Sequence, residues 1–429
     1  MKRQLSRRRY LGAISTGSII GMAGCAGEST DGGPLADEDE DEDENGNEDE
    51  NGNVDENGNE DDEAETEVRA QIPSDASIGG WESYQGDIAN TGRTYTEVSE
   101  APDGDIAPAW EFETSADINV PPAVVDGTVF AGNRNGDLYA VDAVTGEKQW
   151  QFDTGDSLLS APAVADGTVY VGNFDGTLFA VDAASGDKTW TFDAGGWVTP
   201  APTVTDGVVY VGSSDNHLHA VEAATGNRLW SFEAREWVVS APAVGRRGDT
   251  VYASSHEGDL YAIDISNGEE RWTFATGGDS ELTPPLVARG TVYVGQDGVI
   301  ALDARSGEKR WQYQSHGGYS DLYLGVTTPL AGGGQTVYAA GDDGYLHAIN
   351  ANSGERQWTE QVDADITQPV LAGGRVYYGT YGIVHGIGIT DGASGMSYDF
   401  AGVGGAPPVV VDGIIYKGLG NSIGAYAEV

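Results

Sequence analysis

Basic residues and cysteine are scarce in this chain, and each shortage excludes a class of protein. The 429 residues contain 22 Lys and Arg against 69 Asp and Glu, which gives a net charge of −47. So strong a negative charge disfavours electrostatic binding to nucleic acid or to an anionic membrane surface. The single cysteine, Cys25, excludes an internal disulfide.

Lysine is the rarer of the two basic residues, with 5 Lys against 17 Arg. An acidic and lysine-poor composition is typical of proteins that stay soluble at very high salt, where charge repulsion is screened within a few ångström. We therefore expect the exported protein of a halophile, of the haloarchaeal kind.

Residues 1–24 predict an export signal. The twin arginines Arg7 and Arg8 precede a weakly apolar run that is shorter than the roughly 20 residues needed to span a bilayer. The run ends at Met22-Ala-Gly-Cys25, which resembles a lipobox. Lipid attached at Cys25 would hold the protein at the outer face of the cytoplasmic membrane. The alternative is a plain secretory signal in which Cys25 is an incidental thiol.

Residues 25–70 predict a disordered acidic linker. Between Asp37 and Glu67 there are 19 Asp or Glu and no Lys or Arg. Such a tract cannot bury a core and repels itself, so we expect a tether that spaces the body from the lipid. Its six-residue period lacks the 12-residue loop of an EF-hand, so we do not expect a specific calcium site there.

A repeat of about 40 residues fills the remainder. Its signature is an acidic or amide residue, a Thr-Gly, Ser-Gly or Asn-Gly turn, and a tryptophan eight positions after the first residue. Six copies follow it, Asp142–Trp150, Asp182–Trp190, Glu222–Trp230, Asp264–Trp272, Asp303–Trp311 and Asn350–Trp358, and a decayed seventh copy runs from Asp391 to Tyr398. Asp-Gly and Ser-Gly pairs between alternating β-branched and aromatic residues predict hairpins. Four short antiparallel strands in each repeat predict the blade of a β-propeller.

Two further sequence patterns each recur eight times and therefore predict eight blades. We predict that a proline opens the first strand of each blade, at Pro122, Pro162, Pro202, Pro242, Pro285, Pro329, Pro369 and Pro408. Apolar residues of the third strands agree, at Leu138, Leu178, Leu218, Leu260, Val299, Leu346, Ile387 and Ile423. The eighth unit lacks a fourth strand after Ile423, and Trp110–Thr114 matches Trp150–Thr154. We therefore predict an all-β, eight-bladed propeller of four-stranded antiparallel blades, which the N-terminal strand closes.

The string Ala-x-Asp-x-x-Thr-Gly-x-x-x-Trp at Ala140–Trp150 resembles the tryptophan-docking motif of the PQQ-type eight-bladed propellers. That group includes quinoprotein alcohol dehydrogenases and the propeller lipoprotein of the bacterial outer-membrane assembly machine. The resemblance covers residues 78–429, and Trp81, Asp87 and Asn90-Thr-Gly92 look like the segment that precedes the propeller. It implies structural roles between blades for Trp110, Trp150, Trp190, Trp230, Trp272, Trp311 and Trp358. One scaffold hosts enzymes and non-enzymes, so the resemblance leaves function open.

A catalytic site is not evident. The resemblance to quinoproteins implies a quinone between two flat surfaces, calcium, a carboxylate base and often a disulfide of adjacent cysteines, and no coherent Glu, Asn and Asp set is found here. His219 and His347 occupy a position that holds packing aromatics in other repeats. His217-x-His219 has the spacing of a metal pair but lacks a third ligand nearby in sequence. We expect no catalytic residues, no metal and no cofactor, with PQQ and calcium only if the protein is a dehydrogenase.

The repeats differ most on the face that carries the connections between blades and the turns between second and third strands. The residues that depart from the repeat there, and are predicted to form a binding face, are Trp197, Arg235, Trp237, His316, Tyr319, Asp321 and Tyr323. Exposed aromatic side chains with polar neighbours are typical of recognition surfaces. The alternative is that Trp197 and Trp237 plug the channel or stack between loops.

Three functions remain open at this point. The first is a non-catalytic scaffold that binds other envelope or secreted proteins, in envelope protein assembly for example. The second is a PQQ-dependent dehydrogenase, and the third is a solute or glycan sensor that uses the aromatic face.

Overall fold

In the computed structural model, the described residues form an all-β propeller. The structure describes residues 69–74, 76, 78, 80, 102, 104–245, 248–277, 281–296, 298–314, 322–327, 336–341, 343–362, 366–380, 383–389, 394–399 and 406–429. Within these ranges there is no helix, and hence none long and apolar enough to cross a membrane.

The described residues contain thirty-two strands, which form eight four-stranded antiparallel sheets, each of which is one blade. Blade 1 contains β2 (Ala123–Val125), β3 (Thr128–Gly132), β4 (Asp137–Asp142) and β5 (Lys148–Asp153). Blade 2 contains β6 (Ala163–Ala165), β7 (Thr168–Gly172), β8 (Thr177–Asp182) and β9 (Lys188–Asp193). Blade 3 contains β10 (Thr203–Thr205), β11 (Val208–Gly212), β12 (His217–Glu222) and β13 (Arg228–Glu233). Blade 4 contains β14 (Ala243–Val244), β15 (Thr250–Ser254), β16 (Asp259–Asp264) and β17 (Glu270–Ala275).

The other four blades follow the same order. Blade 5 contains β18 (Leu286–Ala288), β19 (Thr291–Gly295), β20 (Gly298–Asp303) and β21 (Lys309–Gln314). Blade 6 contains β22 (Leu322–Thr327), β23 (Thr336–Gly341), β24 (Tyr345–Asn350) and β25 (Arg356–Gln361). Blade 7 contains β26 (Val370–Ala372), β27 (Arg375–Thr380), β28 (Ile383–Gly388) and β29 (Ser394–Asp399). Blade 8 contains β30 (Val409–Val411), β31 (Ile414–Gly418), β32 (Gly420–Glu428) and, from the start of the chain, β1 (Ile106–Ile118).

The Asp-Gly pairs form the tight turns between first and second strands. Asp126 and Gly127 have φ values of 48° and 75°, and Asp166 and Gly167 have 49° and 72°. Two consecutive residues with positive φ match the turn type whose twist suits a two-residue hairpin. The sequence prediction of hairpins at these pairs is confirmed.

The N-terminal strand closes the ring, as predicted. Strand β1 pairs antiparallel with β32, and Trp110 lies opposite Ala425. The backbone N–H of Val429 donates to the carbonyl of Asp105 at 3.1 Å. First strands β2 and β30 also contact each other, so blades 1 and 8 are neighbours. Closure leaves no unpaired strand edge at the joint between the two ends.

Tryptophans of the fourth strands dock onto the following blade. The indole N–H of Trp110 donates to the carbonyl of Ala143 in blade 1 at 3.0 Å, and that of Trp150 donates to Ala183 in blade 2 at 2.9 Å. The same bond to the next blade is made by Trp190, Trp230, Trp272 and Trp311. Each indole covers the glycine of the next turn so closely that a Cβ on Gly186 would lie 2.8 Å from Trp150. These six tryptophans thus lie between neighbouring blades, at the positions for which the sequence predicts a structural role.

The hydrophobic core is divided into layers between neighbouring blades. One layer joins Leu138 and Trp150 of blade 1 to Val169 and Phe179 of blade 2, and the other layers repeat the pattern. The layer at the ring joint also includes Ala70, Ile72 and Ile78 from the segment before β1. Each blade is therefore stabilised mainly by its two neighbours.

Blade 6 departs from the sequence prediction. Pro329 was expected at the opening of its first strand, but β22 ends at Thr327, before that proline. Strand β22 pairs with β23 over six residues, and Tyr323 lies opposite Ala340. The segment 314–326, interpreted as a departure from the repeat, therefore contributes most of a regular first strand. The proline pattern gave the wrong start for this strand because Pro329 follows β22 in the sequence instead of preceding it.

The decayed repeat of blade 7 was placed in the wrong register. Met396 pairs with Gly386 as Trp150 pairs with Ala140, so Met396 holds the docking-tryptophan position. Tyr398 instead pairs with Val384, the relation that Phe152 has to Leu138. Val384, rather than Ile387, is thus the equivalent of Leu138. The shift arose because Gly388 replaces the acidic residue that begins the signature elsewhere.

Two glycine substitutions separate tryptophan docking from backbone strain. Gly186 and Gly167 have φ values of 76° and 72°, so alanine is strained at both, by about 1–2 kcal/mol. No heavy atom lies within 4 Å of a Cβ at Gly167, whereas at Gly186 it meets Trp150. We expect Gly186→Ala to lower the free energy of unfolding by about 1–3 kcal/mol more than Gly167→Ala, measured by denaturant titration at constant high salt. Equal losses would contradict the docking role of the indole.

Candidate binding face

One rim of the propeller carries both the connections between blades and the turns between second and third strands. We call it the connector rim. In it, the backbone N–H of Ser214 donates to the carbonyl of Trp197 at 3.0 Å, and that of His256 donates to the carbonyl of Trp237 at 2.9 Å. The turns between third and fourth strands, where the tryptophans dock, lie at the other rim with the Asp-Gly turns, since Ala143 N–H donates to Gly127.

Buried valines fix the positions of Trp197 and Trp237. Val198 and Val238 follow the two tryptophans and have 0% and 1% exposure. Val238 packs on Gly212 at the end of β11, where a Cβ would lie 2.7 Å from the valine Cγ1. The chain is therefore anchored directly beside each tryptophan, which places both indoles at the connector rim.

Four aromatic rings form a continuous row across blades 2 to 4. Phe174 stacks on Trp197 with ring centroids 4.3 Å apart and planes 18° apart. Trp197 meets Trp237 edge to face at 5.8 Å, and Trp237 meets His256 edge to face at 5.6 Å. We call Phe174, Trp197, Trp237 and His256 the aromatic ladder. All four side chains are half-buried, so they stack between loops and also present surface to solvent.

Charged groups surround the His256 end of the ladder. His256 Nε2 lies 2.8 Å from Glu281 Oε1, and this hydrogen bond is the main reason that the pKa of His256 is raised. Burial raises the pKa of Glu236, and nearby Glu257 adds to the shift. Arg235 reaches Asp259 at 3.3 Å and remains 73% exposed. An aromatic surface surrounded by positively and negatively charged groups can bind a polypeptide surface in one preferred orientation.

The structure brings together three of the seven residues predicted for the binding face. Trp197 and Trp237 contact each other, and Arg235 lies two residues before Trp237 at the same rim. Tyr323 lies in β22, and its side chain is outside the described residues. The predicted residues His316, Tyr319 and Asp321 also lie outside them, as do Arg7, Arg8, Cys25, the acidic tract and the segment Trp81–Gly92.

Phe174, His256 and Glu281 complete this surface and were not anticipated. Phe174 and His256 are the second residues of equivalent turns, where blades 1 and 3 have Arg134 and Ser214. Comparing this turn position across the repeats is a signal that would have found both. Glu281 comes from the connection between blades 4 and 5, and no repeat pattern marks it.

His219 and His347 do replace packing aromatics, as predicted. His219 lies edge to face with Phe192 of the preceding blade at 5.2 Å, as Phe179 does with Phe152 at 5.7 Å. Each histidine also meets an aspartate four residues earlier: His219 Nε2 lies 3.1 Å from Asp215, and His347 Nε2 lies 2.8 Å from Asp343. The Asp-x-x-x-His spacing was present in the sequence and was overlooked.

A buried lysine was also missed. Lys417 on β31 is fully buried where other blades have small apolar residues such as Ala131, and burial lowers its pKa to about 8. It lies toward blade 7, since a Cβ on Gly379 would come within 3.1 Å of its Nζ. Lys417 belongs to the joint between blades 7 and 8 and not to the aromatic ladder.

The family assignment agrees with this architecture. The chain belongs to the family described as outer membrane protein assembly factor BamB, which matches residues 69–161, 134–279 and 235–417. No curated protein matches the chain.

Solved structures similar to this one have different activities. BamB from Moraxella catarrhalis is 18% identical with a TM-score of 0.63, over 75% of this chain and 98% of that one. The quinohemoprotein alcohol dehydrogenase ADHIIG from Pseudomonas putida HK5 is 16% identical with a TM-score of 0.64, over 81% and 80%. A computationally designed protein, Ika8, is 17% identical with a TM-score of 0.65, over 74% and 98%. At these identities the likeness establishes the fold alone.

The two buried histidines give a reciprocal prediction. His347 Nδ1 lies 3.1 Å from the Tyr313 hydroxyl, whereas His219, whose ring contacts Phe192 at the equivalent position, has no hydrogen-bond partner for Nδ1 among the described residues. We expect Tyr313→Phe to lower the free energy of unfolding by about 1–2 kcal/mol and Phe192→Tyr to raise it by about 1 kcal/mol. Denaturant titration of both variants measures this. A loss of stability in Phe192→Tyr equal to that in Tyr313→Phe would contradict the account.

The His256–Glu281 pair predicts a pH dependence of stability. Because the folded-state pKa of His256 is raised, the pair stabilises the fold fully below the ordinary histidine pKa of about 6.5, and this stabilisation is lost as the pH rises through the folded-state pKa. We expect His256→Gln to flatten this part of the pH profile, measured by denaturant titration between about pH 5.5 and 8.5. Glu281→Gln should flatten it similarly, and a profile that neither variant changes would refute the pairing.

Proposed function

We propose that this protein is a non-catalytic scaffold, held at the outer face of the cytoplasmic membrane by lipid on Cys25, that binds other envelope or secreted proteins through its connector rim. Membership of a family described by an assembly factor supports a role in envelope protein assembly. The twin arginines, the lipobox-like segment and the acidic tract support export, anchoring and spacing from the membrane.

The aromatic ladder is the observation that carries this proposal. A propeller needs no aromatic side chain at these positions, because the equivalents of Trp197 in the two preceding connections are Asp117 and Ser157. Large aromatic side chains dominate the energetics of protein interfaces, particularly at the centre of a contact with a charged rim. Trp197 and Trp237 would form that centre, with Arg235, Glu236 and Glu281 around it.

A double substitution tests the scaffold function. The full-length protein is incubated with solubilised envelope proteins of its source organism at native salt, cross-linked and captured. We expect Trp197→Ala/Trp237→Ala to lose about 2 kcal/mol or more of binding free energy for a specific envelope protein, and hence to capture little of it. Leu229→Ala, which removes an exposed apolar side chain in blade 3, is the control and should capture as much as the wild type.

The partner must then be purified and its affinity for each variant measured, with unfolding curves to show that the variants are folded. Unchanged affinity in the double variant would contradict the proposed interface. Saturable binding of a soluble oligosaccharide by the wild type, lost in the double variant, would favour the glycan sensor instead.

The second candidate function is that of a PQQ-dependent dehydrogenase, and the structural likeness to quinohemoprotein alcohol dehydrogenases supports it. Calorimetric titration of the full-length protein with PQQ and calcium at high salt distinguishes the two functions. The scaffold proposal expects no saturable heat and no alcohol-dependent dye reduction, and observation of both would overturn it.

A further inference from the structure

Three polar side chains converge at the start of β12 in blade 3. Asp215 Oδ2 lies 3.1 Å from His219 Nε2 and 3.3 Å from His217 Nδ1. His217 Nδ1 also lies 3.0 Å from the carbonyl oxygen of Asp215. The two imidazoles are stacked, with ring centroids 5.6 Å apart and planes 21° apart. Two imidazoles and one carboxylate thus meet around a single carboxylate oxygen.

The cluster is open to solvent on one side. The side chain of His219 is 3% exposed, that of Asp215 is 19% exposed and that of His217 is 31% exposed. The Asp215 carboxylate therefore has a buried imidazole on one side and an accessible imidazole on the other.

Packing explains one histidine of the cluster but not the other. In blade 6 the equivalent of His219 is His347, which also pairs with an aspartate, but the equivalent of His217 is Tyr345. His347 is moreover bonded through Nδ1 to Tyr313, so both of its ring nitrogens are engaged within the protein. Among the residues that the structure describes, only blade 3 places a second, accessible imidazole beside an Asp-His pair.

We propose that Asp215, His217 and His219 bind one divalent transition-metal ion of the zinc type. The ligands would be Asp215 Oδ2, His217 Nδ1 and His219 Nε2, a donor set that suits zinc and related imidazole-binding metals and not magnesium or calcium. Ligands about 2.0 Å from a tetrahedral zinc ion are about 3.3 Å apart, close to the two separations from Asp215. A fourth position is left for water or for a side chain of a partner.

Binding requires a local adjustment of the exposed ring. His219 Nε2 is hydrogen-bonded to the Asp215 carboxylate and His217 Nδ1 to the Asp215 carbonyl oxygen, and among the described residues no three such side chains already surround a metal position. The side chain of His217 is 31% exposed, whereas His219 is buried and Asp215 Oδ1 accepts a hydrogen bond from the backbone N–H of His217, so the adjustment falls on the His217 ring. Asp215 lies two residues before His217 and supplies the third ligand that the His217-x-His219 spacing by itself lacks.

Cobalt and zinc titrations of the full-length protein test the site. Co²⁺ is the spectroscopic probe, because four-coordinate Co²⁺ absorbs strongly in the visible, and Zn²⁺ affinity is measured by calorimetry and by displacement of Co²⁺. We expect one tight site for Zn²⁺ at neutral pH that weakens in acid, since the imidazoles must be unprotonated, and that excess Mg²⁺ or Ca²⁺ does not block.

Ligand variants distinguish this site from loose binding by the acidic tract. Mutation of a group that hydrogen-bonds to a metal ligand typically weakens metal binding about 10- to 100-fold, and loss of a ligand itself should weaken it at least as much. We expect this loss in His217→Ala, at an exposed position, and in His219→Phe, which copies Phe179 of blade 2. His347→Phe is the matched control in blade 6 and should bind as the wild type does.

Equal Zn²⁺ binding by the wild type, His217→Ala and His219→Phe would overturn the proposal, as would the absence of a saturable site in the wild type. Phe192→Tyr provides an independent arm. Its hydroxyl would accept from the Nδ1–H of metal-bound His219, and such partners strengthen metal binding, so we expect a severalfold tighter site. Unchanged affinity in that variant would contradict the assignment of His219 Nε2 as the metal ligand.

Discussion

The contact between an indole and the glycine turn of the next blade is the interaction on which the rest of the structure depends. A single contact supplies a large apolar surface, one hydrogen bond and a fixed distance between blades, as Trp150 does on Gly186 and Ala183. Trp110 makes the same contact across the joint between blades 8 and 1. Strand β1 is therefore held to blade 1 as well as to β32, so ring closure and blade spacing have one physical cause.

Because docking takes place at one rim, the other rim is free to vary. The connections and turns of the connector rim need only a buried anchor such as Val198 or Val238 on the glycine that ends a second strand. The fold does not constrain the residue before that anchor. In blades 2 to 4 this position and the neighbouring turns carry the aromatic residues of the ladder. The proposed metal site adjoins the same rim, since Ser214, next to Asp215, donates to the Trp197 carbonyl. In this chain the docking rim repeats while the connector rim varies, so side chains of a binding site can be added at the connector rim without changing the docking contacts.

The sequence predicted the features that recur from blade to blade. The predictions failed where single residues depart from the repeat. Strand composition, hairpin turns and six docking tryptophans follow from local patterns, and the match of Trp110–Thr114 to other fourth strands predicted closure. The repeat of blade 7 was assigned the wrong register because Gly388 and Met396 replace both ends of the signature. Strand β22 was not predicted because Pro329, which follows it, was taken as the start of the first strand of blade 6. The order of the ladder and the meeting of Asp215 with two histidines depend on contacts between separate turns and strands, which no periodic pattern encodes.

The most direct test of the account is a hydrogen-exchange footprint of the protein with the envelope partner it captures. The account predicts slower amide exchange on binding at residues 195–199, 213–216, 235–239 and 255–258 of the connector rim, with the Asp126-Gly127 and Thr145-Gly146 turns of the docking rim unchanged. Protection confined to the docking rim, with the connector rim exchanging as in the free protein, would contradict it.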